Sequence, residues 1–206
     1  MSLVSLQPIK AILFDLDGTL VHSSLDFKQI RQDISCPESE DVLTYIASLS
    51  LNEREIAEKT IVQHELNDAR TSTIIPGAIR LLTRLDDHGL KMGIITRNSA
   101  EATNIKMERC GLNIDEVLTR EDAPAKPDPS GLLYFSDLWG FSPNECVYVG
   151  DYLYDIQAAN NADMHACLYL NNGLLNQAPY YAQQADFICK DFDFFENDVR
   201  TYLASV

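Results

Sequence analysis

The sequence predicts an α/β protein in three layers, a mostly parallel sheet with helices on both faces and a small all-helical segment inserted after the first strand. Short apolar runs recur along the chain, and helix-type patterns fill the stretches between them. The insertion rests on a third observation. Val21–Ile75 is far longer than one crossover helix requires and contains no convincing strand.

Ile9–Phe14 reads as the first strand, because it is an unbroken apolar run apart from Lys10 and ends at an acidic turn. Within Val21–Ile75 the apolar residues keep helical spacing: Leu25, Phe27, Ile30 and Ile34, then Val42, Tyr45, Ile46 and Leu49, then Ile56, Ile61 and Leu66. Pro76–His88 follows as a helix, with Pro76 suited to a first helical position and Gly89 placed to end it. Lys91–Thr96, Glu116–Thr119, Cys146–Gly150 and Ala166–Leu170 are the further strands. Between them lie helices at Ser99–Cys110, stopped by Gly111, at Pro129–Trp139 and at Asp155–Asn161. A last strand is expected near Asp186–Cys189 and a closing helix from about Phe194. The alternation gives a Rossmann-like core from residues 1–20 and 76–206, with residues 21–75 as a helical cap. Its attachment directly after a candidate site favours a lid; extra helices packed on a sheet face are the alternative.

The chain has 206 residues, 46% of them hydrophobic, enough for one good core with a small insertion. A formal net charge of −15 disfavours broad contact with nucleic acid or an anionic membrane, so an anionic substrate needs a local positive site. Cys36, Cys110, Cys146, Cys167 and Cys189 are odd in number and form no C-x-x-C pair, which suggests neither a disulfide framework nor a zinc site. A reducing cytoplasm is the expected compartment. The amino terminus has no basic region followed by a long apolar stretch, and no run approaches a membrane span. A monomer is expected, with a dimer as the alternative.

Candidate chemistry gathers at the strand ends. Asp15-Leu16-Asp17-Gly18-Thr19 follows the first apolar run, so two carboxylates one residue apart stand where open α/β sheets place their sites. Gly18 lets the backbone turn and Thr19 can cap the bend. The second strand ends in Thr96-Arg97-Asn98, a hydroxyl, a guanidinium and an amide, each able to hold a phosphoryl oxygen, although any one alone is more often a turn or helix cap. Gly18, Thr19, Arg97 and Asn98 are the candidate phosphate-binding residues. Lys126 lies between prolines that stiffen its backbone, which a solvent-facing lysine would not need. Asp151 ends the fourth strand and Asp155 follows it; alone, Asp155 would be a helix N-terminal acid. At a separation of about 4 Å and an effective dielectric near 20, each carboxylate pair repels by roughly 4 kcal/mol, so Asp15, Asp17, Asp151 and Asp155 together call for a cation. Oxygen-only ligands point to Mg2+ rather than zinc.

These motifs, Asp15 to Thr19, Thr96, Lys126 and Gly150-Asp151-Tyr152-Leu153-Tyr154-Asp155, resemble the four ordered motifs of the haloacid dehalogenase superfamily of phosphohydrolases. The helical stretch resembles the small cap of its phosphoglycolate-phosphatase-like members. Tyr152 departs from the small hydroxyl residue of many relatives. The resemblance implies Asp15 as nucleophile, Asp17 as proton carrier, and Lys126 and Thr96 at the phosphoryl group. It implies Mg2+ on Asp15, Asp151 and the backbone carbonyl of Asp17, oriented by Asp155. Asp17 would need a raised pKa, which a dry site and neighbouring carboxylates favour. Asp17 argues against a dehalogenase proper, which needs no second aspartate, and a phosphonate-cleaving relative would need Lys28 or Lys59 as a Schiff base. A phosphomutase stays open. A receiver-type signalling domain is shorter and lacks the insertion, and a silent binding protein would not keep every motif residue. The expected substrate is a small phosphorylated metabolite such as phosphoglycolate, a sugar phosphate or a nucleoside monophosphate, met by His22, Ser23, Ser24, Lys28, Arg31 or Arg70. Trp139, Tyr180 and Tyr181 are expected to serve packing.

Overall fold

The computed structural model describes residues 9–170 and 178–204, so residues 1–8 of the expected core lie outside it. Strand β1 (Ala11–Phe14) is followed by β2 (Val21–His22), the helices α1 (Phe27–Asp33), α2 (Val42–Ser48) and α3 (Leu51–Ala69), and β3 (Thr73–Ile74). The remainder alternates: α4 (Ala78–Asp87), β4 (Lys91–Ile95), α5 (Ala100–Cys110), β5 (Val117–Leu118), α6 (Ser130–Trp139), β6 (Cys146–Gly150), α7 (Leu153–Asn161), β7 (His165–Tyr169), β8 (Phe187–Cys189) and α8 (Phe195–Leu203).

The main sheet has six strands in the order β5-β4-β1-β6-β7-β8, and every neighbouring pair is parallel. Strand β1 sits between β4 and β6, with Leu13 beside both Gly93 and Tyr148. Its carboxyl end is therefore the point where the strand order reverses, and the crevice there is the natural ligand position of such sheets. Side chains alternate between two cores. Ile12, Phe14, Val147, Val149 and Cys167 pack with α4 and α8 on one face. Ala11, Leu13, Tyr148, Ala166 and Leu168 pack with α6 and α7 on the other. Full burial of both faces is why the strands read as continuous apolar runs.

Helices α1 to α3 enclose a separate apolar cluster of Ile30, Ile34, Cys36, Val42, Ile46, Ala57 and Ile61. Asp26 and Asp41 cap the first two helices, accepting from the Gln29 and Thr44 N–H groups at 3.0 and 3.1 Å. Helix α3 continues toward the core and packs on α5 through Leu66, Ala69 and Ala102. The segment is not wholly helical, because the outgoing and returning chain pair as a short antiparallel ribbon, Val21 with Ile74 and His22 with Thr73. Helix α4 also begins later than Pro76 suggests. Gly77, at φ +85°, turns the chain into it, so the first helical residue is Ala78. No helix among the described residues is long and apolar enough to cross a membrane.

Candidate active site

Strand β1 hands its chain directly to Asp15, whose N–H donates to the Val149 carbonyl of β6 at 2.8 Å. The bend beyond it is closed by backbone. The Leu16 carbonyl accepts from Thr19, Leu20 and Val21, and the Gly18 N–H donates to the Val21 carbonyl at 2.8 Å. Gly18 has φ +80°, and a Cβ there would stand 2.1 Å from Asp151 Oδ2. Glycine thus permits both the turn and the approach of the second acidic loop. Thr19 does not serve as the expected side-chain cap of the bend. It is fully buried, and its Oγ1 has no hydrogen-bond partner among the described residues. The backbone already satisfies the bend, leaving the side chain to fill space.

Lys126 stands at the centre of the site, almost wholly buried. Its Nζ lies 2.5 Å from Asp15 Oδ1, 2.7 Å from Asp155 Oδ1, 2.7 Å from the Tyr148 hydroxyl and 3.0 Å from the Ile95 carbonyl. Burial works against its charge, but the Asp15 and Asp155 carboxylates outweigh it and hold the ammonium above the ordinary lysine range. Asp15, Asp151 and Asp155 can each bring one oxygen within 4.8 Å of the others. Burial pushes Asp15 up to about 7 against the pull of Lys126, with Asp155 and Asp17 adding to the rise. Asp151 is driven well above the usual carboxylate range by burial and then by Asp15 and Asp155. Three hard oxygen donors with one ammonium among them fit a hard divalent cation. Gly150 keeps this packing possible, since a Cβ there would meet Asp155 Cβ at 2.2 Å. Asp155 is also the expected helix acid, its Oδ2 accepting the Tyr152 N–H at 3.0 Å.

The Asp17 carboxylate is not part of this triad. Donors surround it instead. Asn98 Nδ2 donates to Oδ2 at 2.6 Å, and Lys106 Nζ lies 2.6 and 2.7 Å from its two oxygens. Its immediate partners are donors, not the carboxylates expected around it. Lys106 has no exposed surface and also lies 2.8 Å from Asp68 Oδ2, which accepts from the Ser23 hydroxyl, while Asp68 Oδ1 accepts from the Ser24 N–H and hydroxyl. Burial opposes the Lys106 charge, but Asp17 and Asp68 together hold it above the ordinary range.

Thr96 is buried at the end of β4 and accepts the Asn98 N–H at 3.2 Å, leaving its own hydroxyl proton free for another partner. Arg97, which also lines the cavity, is paired with a carboxylate of the insertion. Its Nη2 lies 2.7 Å from both oxygens of Asp41, at the start of α2, and its guanidinium sits 4.8 Å from the Tyr154 ring centroid. Asp41 is the fixed carboxylate within its reach and neutralises it.

These groups open onto a cavity of about 350 Å³, within the usual range for small-molecule sites. The sheet end supplies Asp15, Asp17, Thr96, Lys126, Asp151 and Asp155, and the insertion supplies mainly apolar wall from Leu25, Phe27, Ile30, Val42, Leu43 and Ile61. Among the proposed leaving-group contacts, Ser23 and Arg31 line it. Arg31 Nη1 is held by the Pro37 and Glu40 carbonyls, and Ser23 and Ser24 are held by Asp68. His22, Lys28 and Arg70 are exposed and do not line it, nor does Lys59, which pairs with Glu55 at 2.6 Å. Trp139 packs in the core, stacked on Phe135 at 5.1 Å. Tyr180 is exposed, but Tyr181 reaches the site, its hydroxyl donating to the Asp151 carbonyl at 3.1 Å.

Sequence reasoning missed Lys106, Tyr148, Asp41, Asp68 and Tyr181. Lys106 carried a usable signal: it stands four residues from both Ala102 and Cys110 on the buried stripe of α5, where a charge has no place without a partner. Tyr148, the one hydroxyl within an otherwise apolar strand run, carried a weaker one.

The profile of the haloacid dehalogenase-like hydrolases matches residues 12–169, and the chain belongs to that family. A haloacid dehalogenase-like hydrolase domain-containing protein of Arabidopsis thaliana is 31% identical, over 80% of this chain and 72% of its own length. Hexitol phosphatase A of Escherichia coli is 34% identical, over 69% of this chain and 74% of its own. A hydrolase from Pseudomonas syringae shares the fold at a TM-score of 0.75 and 21% identity, covering 96% of this chain and 99% of that one.

Proposed function

We propose that this protein is a Mg2+-dependent phosphatase that hydrolyses a small phosphomonoester through a phosphorylated Asp15. The observation that carries the reading is Asp15 itself, buried against Lys126 at 2.5 Å, grouped with Asp151 and Asp155, and open to the cavity. In the first step an Asp15 oxygen bonds to phosphorus as the bond to the leaving oxygen breaks, and Asp17 gives that oxygen its proton. In the second, the Asp17 carboxylate takes a proton from water, whose oxygen displaces Asp15 from phosphorus. Lys126 offsets negative charge on Asp15 and on the transferring group, while the Thr96 hydroxyl and nearby backbone N–H groups hold its oxygens. Asp15, Asp151 and Asp155, with the backbone carbonyl of Asp17, would hold the magnesium, which when bound screens a carboxylate approaching an anionic phosphate.

Residues 21–75 are read as the cap, since they have their own apolar cluster and furnish one wall of the cavity. A cavity of about 350 Å³ and a hexitol phosphatase among the relatives support a small phosphorylated metabolite as substrate. The test is turnover of p-nitrophenyl phosphate and a phosphometabolite panel, with and without magnesium, for the native chain and Asp15→Asn. The expected result is metal-dependent hydrolysis that falls by at least roughly 10⁴-fold in the variant. Equal activity in Asp15→Asn, or none in the native chain under either condition, overturns the reading.

A further inference from the structure

We propose that Lys106 is the positioning residue for the proton carrier, holding the Asp17 carboxylate on the reacting side and tying that orientation to the segments joining the insertion to the core. The proposal rests on the reading of Asp17 as the proton carrier. Two chains of contact meet at one ammonium. On one side Lys106 Nζ spans both oxygens of Asp17, whose Oδ2 is fixed again by Asn98 Nδ2 at 2.6 Å. On the other it meets Asp68 on the last turn of α3, at 2.8 Å. Asp68 in turn accepts the Ser23 hydroxyl at 2.9 Å, the Ser24 N–H at 2.6 Å and the Ser24 hydroxyl at 2.9 Å.

The placement explains why a full charge is kept in the interior. Ser23 and Ser24 lie where the chain leaves β2 for the insertion, and Asp68 lies just before it returns through β3. Lys106 comes from α5 of the core, so its nitrogen touches the reacting loop and the returning crossing directly, and the outgoing crossing through Asp68, only while they are seated together. A fully buried ammonium is costly unless paired, and its retention between two carboxylates makes the arrangement all or none. An Asp17 side chain with free χ rotation would spend much of its time away from the leaving oxygen, and acid–base transfer demands hydrogen-bond reach. Lys106 removes that freedom without touching the substrate.

The test separates the two chemical steps by leaving group, on the magnesium-loaded full chain. Loss of p-nitrophenolate needs no proton from Asp17, whereas release of an alkoxide does, and both routes need Asp17 to activate water afterwards. Lys106→Met is expected to lower single-turnover cleavage of an alkyl phosphate such as a hexitol phosphate by roughly 10- to 100-fold, within the usual range of acid–base contributions. With p-nitrophenyl phosphate it should give a burst of about one equivalent per site followed by slow turnover, the mark of an accumulating covalent intermediate. For p-nitrophenyl phosphate kcat and KM should fall together, leaving kcat/KM within about twofold. The double variant Asp17→Asn/Lys106→Met should be no slower than Asp17→Asn, because a residue acting only through Asp17 has nothing left to position. Equal losses with both leaving groups, or additive losses in the double variant, overturn the proposal and leave Lys106 a structural ion pair. If Lys106→Met does not fold, Lys106→Gln, whose amide still reaches one carboxylate, carries the same cycle and the same two outcomes. Full alkyl phosphatase activity in Asp17→Asn alone would instead mean that the underlying reading of Asp17 has failed.

Discussion

Two buried lysines, Lys126 and Lys106, each join two aspartates, yet their surroundings differ in one respect that separates their tasks. Around Lys126 a third acid, Asp151, joins Asp15 and Asp155, and the remaining close partners are Tyr148 and a carbonyl. Around Lys106 the two acids are met by further donors: Asn98 on Asp17, and Ser23 and Ser24 on Asp68. The first cluster is left with an excess of negative charge facing a cavity. The second is satisfied within the protein. An electrostatic deficit marks a place for a ligand, while a closed network marks a place where geometry is being held.

The largest effect that probes this contrast is Lys126→Met. Removing the central ammonium strands the three acids wherever they are ionised, so we expect a metal-free destabilisation of about 3–5 kcal/mol at pH 8 and less at pH 5, where Asp15 is protonated. Turnover should drop by at least roughly 10³-fold for every leaving group, with no p-nitrophenolate burst, because charge compensation at the first step is lost. Chemical denaturation and stopped-flow absorbance check both. A burst as large as that expected of Lys106→Met would make the two lysines equivalent and break the comparison.

Next in size is the coupling of magnesium and pH at the first cluster. Asp15 is raised to about 7 in the folded protein, above its ordinary value, so the metal-free fold favours the protonated acid. That contribution to stability is complete below the ordinary carboxylate range and is lost as pH rises through about 7; Asp151, also raised, acts in the same direction. Magnesium needs the ionised acids, so it returns most where the loss is greatest. At a fixed concentration of about 100 times its Kd at pH 8, magnesium should raise Tm by roughly 5–10 °C at pH 8 and by far less at pH 5, where protonation weakens its binding. Differential scanning calorimetry at the two pH values decides it, and an equal gain at both would remove the triad as the binding site.

The same contrast explains what could be read in advance. Asp15, Thr96, Asp151 and the neighbourhood of Lys126 follow directly from strand ends, because unbroken apolar runs announce β1, β4 and β6 and the next polar residue must emerge at the sheet's edge. Asp155, a turn later, was legible through the same acidic pairing. The second cluster was hidden, since Lys106 on an amphipathic helix looks like any solvated lysine until its register with Ala102 and Cys110 is counted. Asp68 and Asp41 lie far from the motifs along the chain and reach them only through folding of the insertion. Strands β2 and β3 pair over two residues each, too short for any periodic signal. Arg97 and Thr19 are read from what their side chains can do, whereas in the fold a nearby carboxylate pairs with Arg97 and the satisfied backbone of the bend leaves the Thr19 hydroxyl without a partner among the described residues.

The smallest expected effect concerns a contact that spans the core and the insertion, Arg97 with Asp41. Burial works against the Asp41 charge, but Arg97 and then Thr44 hold its carboxyl below the usual range. Both side chains keep about a fifth to a quarter of their surface exposed, 24% and 21%, so solvent screens the pair. Asp41→Asn isolates the ionic part, because asparagine caps a helix about as well as aspartate and α2 should persist. The expected loss is within about 1 kcal/mol, shrinking further at 1 M salt. Its functional trace should be larger than its stability trace. With Asp41 neutral, the Arg97 guanidinium beside the cavity is free to meet a substrate anion, so kcat/KM should shift toward phosphomonoesters carrying a second negative charge, by up to roughly tenfold. Steady-state kinetics on matched anionic and neutral esters checks the shift. A stability loss well beyond about 1 kcal/mol would mean instead that this ion pair, and not the closed network at Lys106, holds the insertion against the core.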